Sequence, residues 1–358
     1  MRSGAVLRIG LIGLGTVGAF HLKAYEKLQK AAVVALADSD PNRLSQIAAL
    51  GQLPCYSDAA EMVARERLDI ACILTPASSH EALVSLCARA GLNVLCEKPL
   101  ALDPESARRM IKDAQYYGVR LFYGSSYRFL PTLLAARQLI QSGAIGDVLL
   151  MREQALGGTG MARATAMPLS HYPADGPGGF AMGLMDHGIH LIDAFSWMTG
   201  FKVKSSFGRG NVSGGPLATE FLNIEYDSGA IGQLVYNECT FSTELPCEGI
   251  FSEGDGWDVD GITRAGEWAK HPSSIHLYGT RGSLRILHYA NRLFLIDESG
   301  LRQLPIDGKP SPHHFGAQMA CFVEDILADR PPSTPPEAGL VALETLFSAY
   351  GQSVAVRM

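Results

Sequence analysis

The chain is predicted to be α/β: an N-terminal Rossmann doubly wound parallel sheet plus a C-terminal α+β domain with a large, mostly antiparallel open sheet. Three observations predict this. The apolar run VLRIGLI passes straight into the glycine-rich turn GLGTVG. Through the first third, β-rich runs alternate with amphipathic helical segments, the pattern of a parallel sheet covered on both faces. After SSYRFLP the texture changes to alternating strands joined by Gly and Asp turns, which reads as an antiparallel sheet.

The parallel strands are expected at 6–12 (VLRIGLI), 32–38 (AVVALAD), 69–76 (DIACILTP), 92–99 (LNVLCEKP) and 119–124 (VRLFYG). One intervening helix is marked by Asp103 as N-cap and Pro104 in the first turn. It has apolar Ala107, Met110, Ile111 and Ala114, and Gly118 as its stop. A chain of 358 residues exceeds what one core usually fills. Two domains are therefore expected, 1–124 for the dinucleotide and 125–358 for substrate and oligomerisation.

In the second part a helix over 185–199 precedes the strands of TEFLNIEYDSGAIGQLVYNECTF, SSIHLYGTRGSLRILH and NRLFLIDE. Helices over 315–328 and 337–350 close the chain, linked by the Pro-rich surface connection DRPPSTPPEAG. The acidic segment 253–268, with two tryptophans, fits no periodic element. It reads as a loop over a site, a subunit contact or a surface excursion.

A net charge of −6 with scattered lysines and arginines gives no basic stripe for nucleic acid and no polybasic membrane anchor. No apolar run approaches the ~20 residues that span a bilayer. The N-terminus lacks signal-peptide character, and the seven cysteines form no CxxC pair. A cytoplasmic protein with reduced thiols is expected.

Four constellations carry chemistry. In GLGTVG, Gly13 permits the tight turn, Gly15 lets backbone approach a pyrophosphate, and Gly18 lets helix and strand pack closely. The phosphates would rest on amides near Thr16 and Val17 at the helix N-terminus. Asp38, 20 residues beyond Gly18, stands where a carboxylate accepts from the adenosine ribose hydroxyls, with Ser39 beside it. NAD is therefore expected in preference to NADP, although Arg43 is near enough to offset repulsion of a 2′-phosphate.

Glu97, Lys98 and Pro99 end a buried strand, at the edge where open parallel sheets place ligands. An ammonium there suits a developing alkoxide; on spacing alone, a solvated Glu–Lys pair is an equal reading. In GLMDHGIHLIDAF, Asp186 and His190 are four apart and would share one helix face, the carboxylate orienting the imidazole for proton transfer. His187, His190, Asp186 and Asp193 read also as metal ligands, but the spacing names no convergent set. No metal is expected.

Taken together, GLGTVGAFHLKAY, ADSDPNRL, TPASSH, EKPLA, YRFLP, DHGIHLID, LYGTRGSLRI and the closing HHFGAQMACFVEDILADRPPSTPPEAG resemble the glucose-fructose oxidoreductase, inositol dehydrogenase and rhizopine-catabolism (Gfo/Idh/MocA) family of oxidoreductases over essentially the whole chain. The resemblance implies a Rossmann domain followed by an α+β domain whose open sheet makes homodimer or homotetramer contacts. It implies Lys98, Asp186 and His190 as catalytic residues. Glu97, Thr75, Pro76 and His80 would line the nicotinamide half of the cofactor site, and Tyr127 and Arg128 would begin the substrate pocket. It also implies a cis Lys98–Pro99 peptide. The stretch 157–178, where many members carry substrate contacts, has no diagnostic pattern.

The function expected is an NAD-dependent dehydrogenase oxidising a secondary alcohol of a sugar, inositol or related cyclic polyol. Two alternatives stand beside it: a glycosidase using retained NAD in a transient redox cycle, and a cofactor-binding regulator without turnover.

Overall fold

The computed structural model describes residues 6–48, 53–159, 183–209, 219–237, 241–243, 275–288, 290–308 and 313–351. The chain divides into two compact units, residues 1–125 with 315–340, and residues 126–314 with 341–358.

The first unit alternates strand and helix: β1 (Leu7–Ile12), α1 (Thr16–Tyr25), β2 (Ala31–Ala37), α2 (Pro41–Ala48), β3 (Cys55–Tyr56), α3 (Ala59–Arg65), β4 (Ile70–Ile73), α4 (His80–Arg89), β5 (Asn93–Glu97), α5 (Pro104–Tyr116) and β6 (Leu121–Gly124). The six strands are all parallel, in the order β3-β2-β1-β4-β5-β6. β4 and β6 are buried at every position, so their sequences are apolar runs rather than alternations. Asp103 caps α5 as expected, its carboxylate accepting from the Ser106 amide at 2.8 Å.

One segment departs from the expected continuous second domain over 125–358. From Phe315 onward, α8 (His314–Leu327) packs in the first unit. Its Met319, Phe322, Val323 and Ile326 join the core of the parallel sheet, together with Ile9, Leu11, Leu36 and Phe122. An amphipathic pattern shows that a helix has an apolar face but not which sheet receives it.

The second unit contains α6 (Pro131–Gln141), β7 (Val148–Thr159), α7 (Gly188–Thr199), β8 (Val203–Arg209), β9 (Glu220–Tyr226), β10 (Ile231–Asn237), β11 (Phe241–Thr243), β12 (Ile275–Gly279), β13 (Ser283–Leu287), β14 (Arg292–Asp297) and β15 (Gly300–Leu304). α9 (Pro336–Gly351) begins in the first unit and ends in the second. The sheet runs β15-β14-β13-β12-β7-β10-β9-β8, with β11 added on β7. Every pairing is antiparallel except β7 with β10.

Among the described residues no helix is long and apolar enough to cross a membrane. Cys55, Cys72, Cys87, Cys96 and Cys321 are free thiols. Cys239, Cys247, the acidic segment 253–268 and the greater part of 157–178 lie outside the described residues.

Candidate active site

In the first unit, the three glycines of the turn differ in what demands them. Gly13 has φ +98, and a Cβ on it would stand 2.8 Å from the Leu74 carbonyl. A Cβ on Gly18 would lie 2.2 Å from the Gly13 carbonyl oxygen, so helix and turn could not close. Gly15 is N-cap of α1 with φ −65, a value open to any residue. A Cβ there would meet only Arg43 Nη1, at 3.8 Å. Among the described residues nothing requires glycine at that point, and its absence of a side chain leaves the backbone open to a ligand. α1 also has no side-chain cap and no acidic residue in its first turn, so the amides at Thr16 and Val17 and the positive helix end suit a pyrophosphate. The residues present therefore fit a bound dinucleotide.

Asp38 follows β2 and is 8% exposed. Its Oδ2 accepts from the Leu14 amide at 2.6 Å and its Oδ1 from the Asp40 amide at 2.8 Å, so the carboxylate is fixed across the glycine turn. Arg43 reaches it at 3.7 Å and Asp40 at 3.6 Å from a half-exposed position. Ser39 is exposed beside the pair.

Glu97 closes β5 and is buried, whereas Lys98 is half-buried. The Lys98–Pro99 peptide is cis, as the resemblance implies. Burial would raise the Glu97 pKa, but the hydrogen bond from His21, with the charges of His21 and Lys98, holds it below the usual carboxylate value. His80, expected to line the cofactor, is wholly buried. Its Nδ1 is 3.0 Å from the Pro99 carbonyl oxygen and its Nε2 is 2.8 Å from that of Thr75. The ring thus ties the β4 turn to the Lys98–Pro99 turn. Burial lowers its pKa, against the opposing pull of the Thr75 and Leu100 carbonyls. Thr75 Oγ1 bonds Ser79 Oγ at 2.6 Å, and Pro76 caps the short turn Ala77–Ser79.

In the second unit, α7 begins at Gly188, later than the expected 185. A Cβ on Gly188 would come within 2.8 Å of Leu184, and the chain turns between the short helical turn Gly183–Met185 and α7. Asp186 therefore lies in the turn before α7, and His190 lies within the first turn of that helix. The turn is held from β9, where Glu220 accepts from the Leu184 amide at 3.1 Å and from the Tyr350 hydroxyl. Asp186 is half-buried and His190 is 3% exposed.

Tyr127 lies flat on His190, with ring centroids 4.1 Å apart and an interplanar angle of 10°. It therefore backs the imidazole. Arg128, expected at the substrate pocket, forks onto Asp193 through Nε–Oδ2 at 2.8 Å and Nη2–Oδ1 at 2.5 Å, both side chains being buried. Since α7 carries both Asp193 and His190, this fork fixes the helix that presents the imidazole.

Sequence reasoning passed over Glu153 and His288. Glu153, 2% exposed on β7, bonds His187 Nε2 at 2.6 Å through Oε2, and His288 Nε2 stands 3.9 Å from its Oε1. Burial drives the His288 pKa down to about 4, despite the attraction of Glu153. Near neutral pH His288 is therefore uncharged. Of the four side chains weighed as metal ligands, His187 is thus held by Glu153 and Asp193 by Arg128. Among the described residues no group of three or more His, Cys, Asp or Glu is placed to hold a metal ion.

Two family models match the chain. Residues 7–125 match the Gfo/Idh/MocA oxidoreductase family, NAD-binding Rossmann fold, and residues 133–285 match the Gfo/Idh/MocA C-terminal domain. The rhizopine catabolism protein MocA of Rhizobium meliloti is 32% identical over 60% of this chain and 66% of its own length, so the chain spans just under two thirds of that relative. Inositol 2-dehydrogenase 4 of Saccharopolyspora erythraea is 28% identical over 69% of this chain and 72% of its own length. The aldose-aldose oxidoreductase of Caulobacter crescentus, solved with glycerol, superposes with a TM-score of 0.77. It covers 96% of this chain and 97% of its own at 21% identity, a likeness of fold.

Proposed function

The chain belongs to the Gfo/Idh/MocA oxidoreductase family, whose first domain is an NAD-binding Rossmann fold, and from that premise we propose that it is an NAD-dependent dehydrogenase oxidising a secondary alcohol of a sugar, inositol or related cyclic polyol. The observation that carries the reading beyond cofactor binding is the buried His190 ring backed by Tyr127, in a unit that also buries the Glu153–His187 pair. Burying these polar groups costs free energy, which a part in turnover would offset. The polyol class is supported by the relatives named for inositol and rhizopine.

In this reading His190 takes the hydroxyl proton, Asp186 holds and polarises His190, and Lys98 stabilises the alkoxide. Bound NAD supplies the hydride acceptor, C4 of the nicotinamide. Asp38 receives the adenosine ribose hydroxyls, and the amides of Thr16 and Val17 receive the pyrophosphate. A homodimer or homotetramer formed through the second unit's sheet, in the cytoplasm, belongs to the same proposal.

The test is to incubate the purified protein with NAD and a panel of polyols, inositols, free sugars and glycosides, following NADH absorbance and released sugar together. NADH formed with a polyol or sugar is the expected result. Sugar released from a glycoside without net NADH would replace the reading with a redox-assisted glycosidase.

Cofactor choice has its own expected outcome. The wild type prefers NAD, and Asp38→Ala lowers the ratio of kcat/KM for NAD over NADP at least about tenfold, as the loss of a charged acceptor implies. A wild-type preference for NADP would defeat the role given to Asp38.

A further inference from the structure

We propose that His21 is a positioning residue for the catalytic strand end: its imidazole keeps Glu97 ionised and fixed against the backbone of Lys98. His21 lies on α1 and is wholly buried. Its Nε2 stands 3.1 Å from Glu97 Oε1, and its Nδ1 stands 2.7 Å from the Tyr25 hydroxyl. The other carboxylate oxygen, Glu97 Oε2, accepts the backbone N–H of Lys98 at 3.1 Å. The His21 ring is clamped edge-on by Tyr25 and at 4.4 Å by Phe315.

Donor logic fixes the direction of this chain. An ionised carboxylate only accepts, so His21 donates from Nε2 to Glu97. His21 Nδ1 faces the Tyr25 hydroxyl, whose oxygen in turn faces the Cys72 thiol at 4.0 Å. Each oxygen of Glu97 thus has its own donor, one from α1 and one from the Lys98 peptide.

The structural alternative is that the pair merely joins α1 to β5. Apolar side chains of similar volume would do that at no desolvation cost, and replacing buried ion pairs this way is often neutral or stabilising. What apolar packing would not provide is a carboxylate held charged beside Lys98. The groups facing Glu97 are His21 and Tyr25 from α1, Cys72 from β4, Cys96 and Lys98 from its own strand end, and His80 from α4. Of these, burial keeps Tyr25, Cys72 and Cys96 protonated and neutral, so they cannot compensate Glu97. With the His21 donor gone, burial would dominate and Glu97 would take up a proton. Lys98 would lose a neighbouring negative charge that favours its protonated form.

The inference rests on the alkoxide-stabilising role given to Lys98, so its test has a readout that does not involve turnover. In infrared spectra at neutral pH, His21→Leu is expected to show a protonated carboxylic acid band that disappears when Glu97→Gln is added. His21→Gln, whose amide still donates, is expected to lack the band. In kinetics, His21→Leu should move the alkaline limb of the kcat/KM profile to lower pH and cut kcat about tenfold with NAD affinity retained, since loss of the neighbouring anion lowers the ammonium pKa. His21→Gln should recover most of that loss. No acid band in His21→Leu overturns the inference. The band without any movement of the alkaline limb upholds it and overturns the role of Lys98 instead. Should His21→Leu fail to fold, nitrogen NMR of histidine-labelled wild type decides. A proton on His21 Nε2 is expected, and a neutral ring protonated only on Nδ1 overturns the inference.

Discussion

His190→Ala is expected to lower turnover about 100-fold or more while changing NAD affinity less than about twofold, as removal of a general base does. Two features of the structure set this expectation. The imidazole belongs to the second unit, whereas the glycine turn, Asp38 and Lys98 belong to the first, so cofactor binding keeps its residues in the variant. The ring is also clamped face to face by Tyr127 on a helix anchored by the Arg128–Asp193 fork, which gives it one orientation. Truncation leaves a cavity beside Tyr127 at a cost of about 2 kcal/mol. His190→Gln therefore serves as the companion variant, filling most of that volume without supplying a base of useful pKa. Both variants should lose turnover together, and their thermal unfolding should separate the packing effect from the chemical one. Full activity in either would sink the assignment of His190 as base.

The Rossmann unit was legible because its physics is local. Buried parallel strands must be apolar at every position, as in β4 and β6, and a turn that holds phosphate must be rich in glycine. The second unit was less legible where a buried charge interrupts the pattern. β7 was missed although it lies at the centre of its sheet, between β12 and β10. Its inward residues are Met151, Glu153 and Ala155, and the charged side chain in the middle breaks the apolar alternation that announces a strand. The residue that hid the strand is the one that pairs with His187.

Asp186 and His190 were legible as chemical types, but not their geometry. The helical spacing predicted one helix over both, whereas Asp186 falls in the turn between the short helical turn Gly183–Met185 and the later helix start at Gly188. His80 and Arg128 show the complementary limit. Their positions in motifs suggested ligand contacts, and the fold adds partners within each unit, backbone carbonyls for His80 and Asp193 for Arg128. A sequence shows which residues are equipped for a role and not which are already engaged. His21 had a faint signal in its spacing of four from Tyr25, while its tie to Glu97 crosses 76 positions and is visible only in the fold.

The glycine turn yields the sharpest contrast. In the motif Gly15 and Gly18 look equivalent, but Gly15→Ala is expected to fold normally and bind NAD at least about tenfold more weakly, about 1.4 kcal/mol. The backbone at Gly15 has φ −65 and ψ −167, and the added Cβ meets nothing closer than Arg43 Nη1 at 3.8 Å. Its only intrinsic penalty is that alanine caps a helix less well than glycine, by under about 1 kcal/mol. Gly18→Ala is expected to lose both binding and stability. Its Cβ would stand 2.2 Å from the Gly13 carbonyl oxygen, and because that atom is backbone, α1 must move off the turn. Overpacking of this kind costs on the order of 3 kcal/mol or more. Thermal unfolding without cofactor, with calorimetric titration of NAD, separates the two cases. A Gly15→Ala protein that bound NAD as the wild type does would mean that no phosphate approaches that backbone. Reduced stability in Gly15→Ala to match Gly18→Ala would mean that both glycines serve only packing. The difference between the two variants therefore measures how much of the motif belongs to the ligand and how much to the fold.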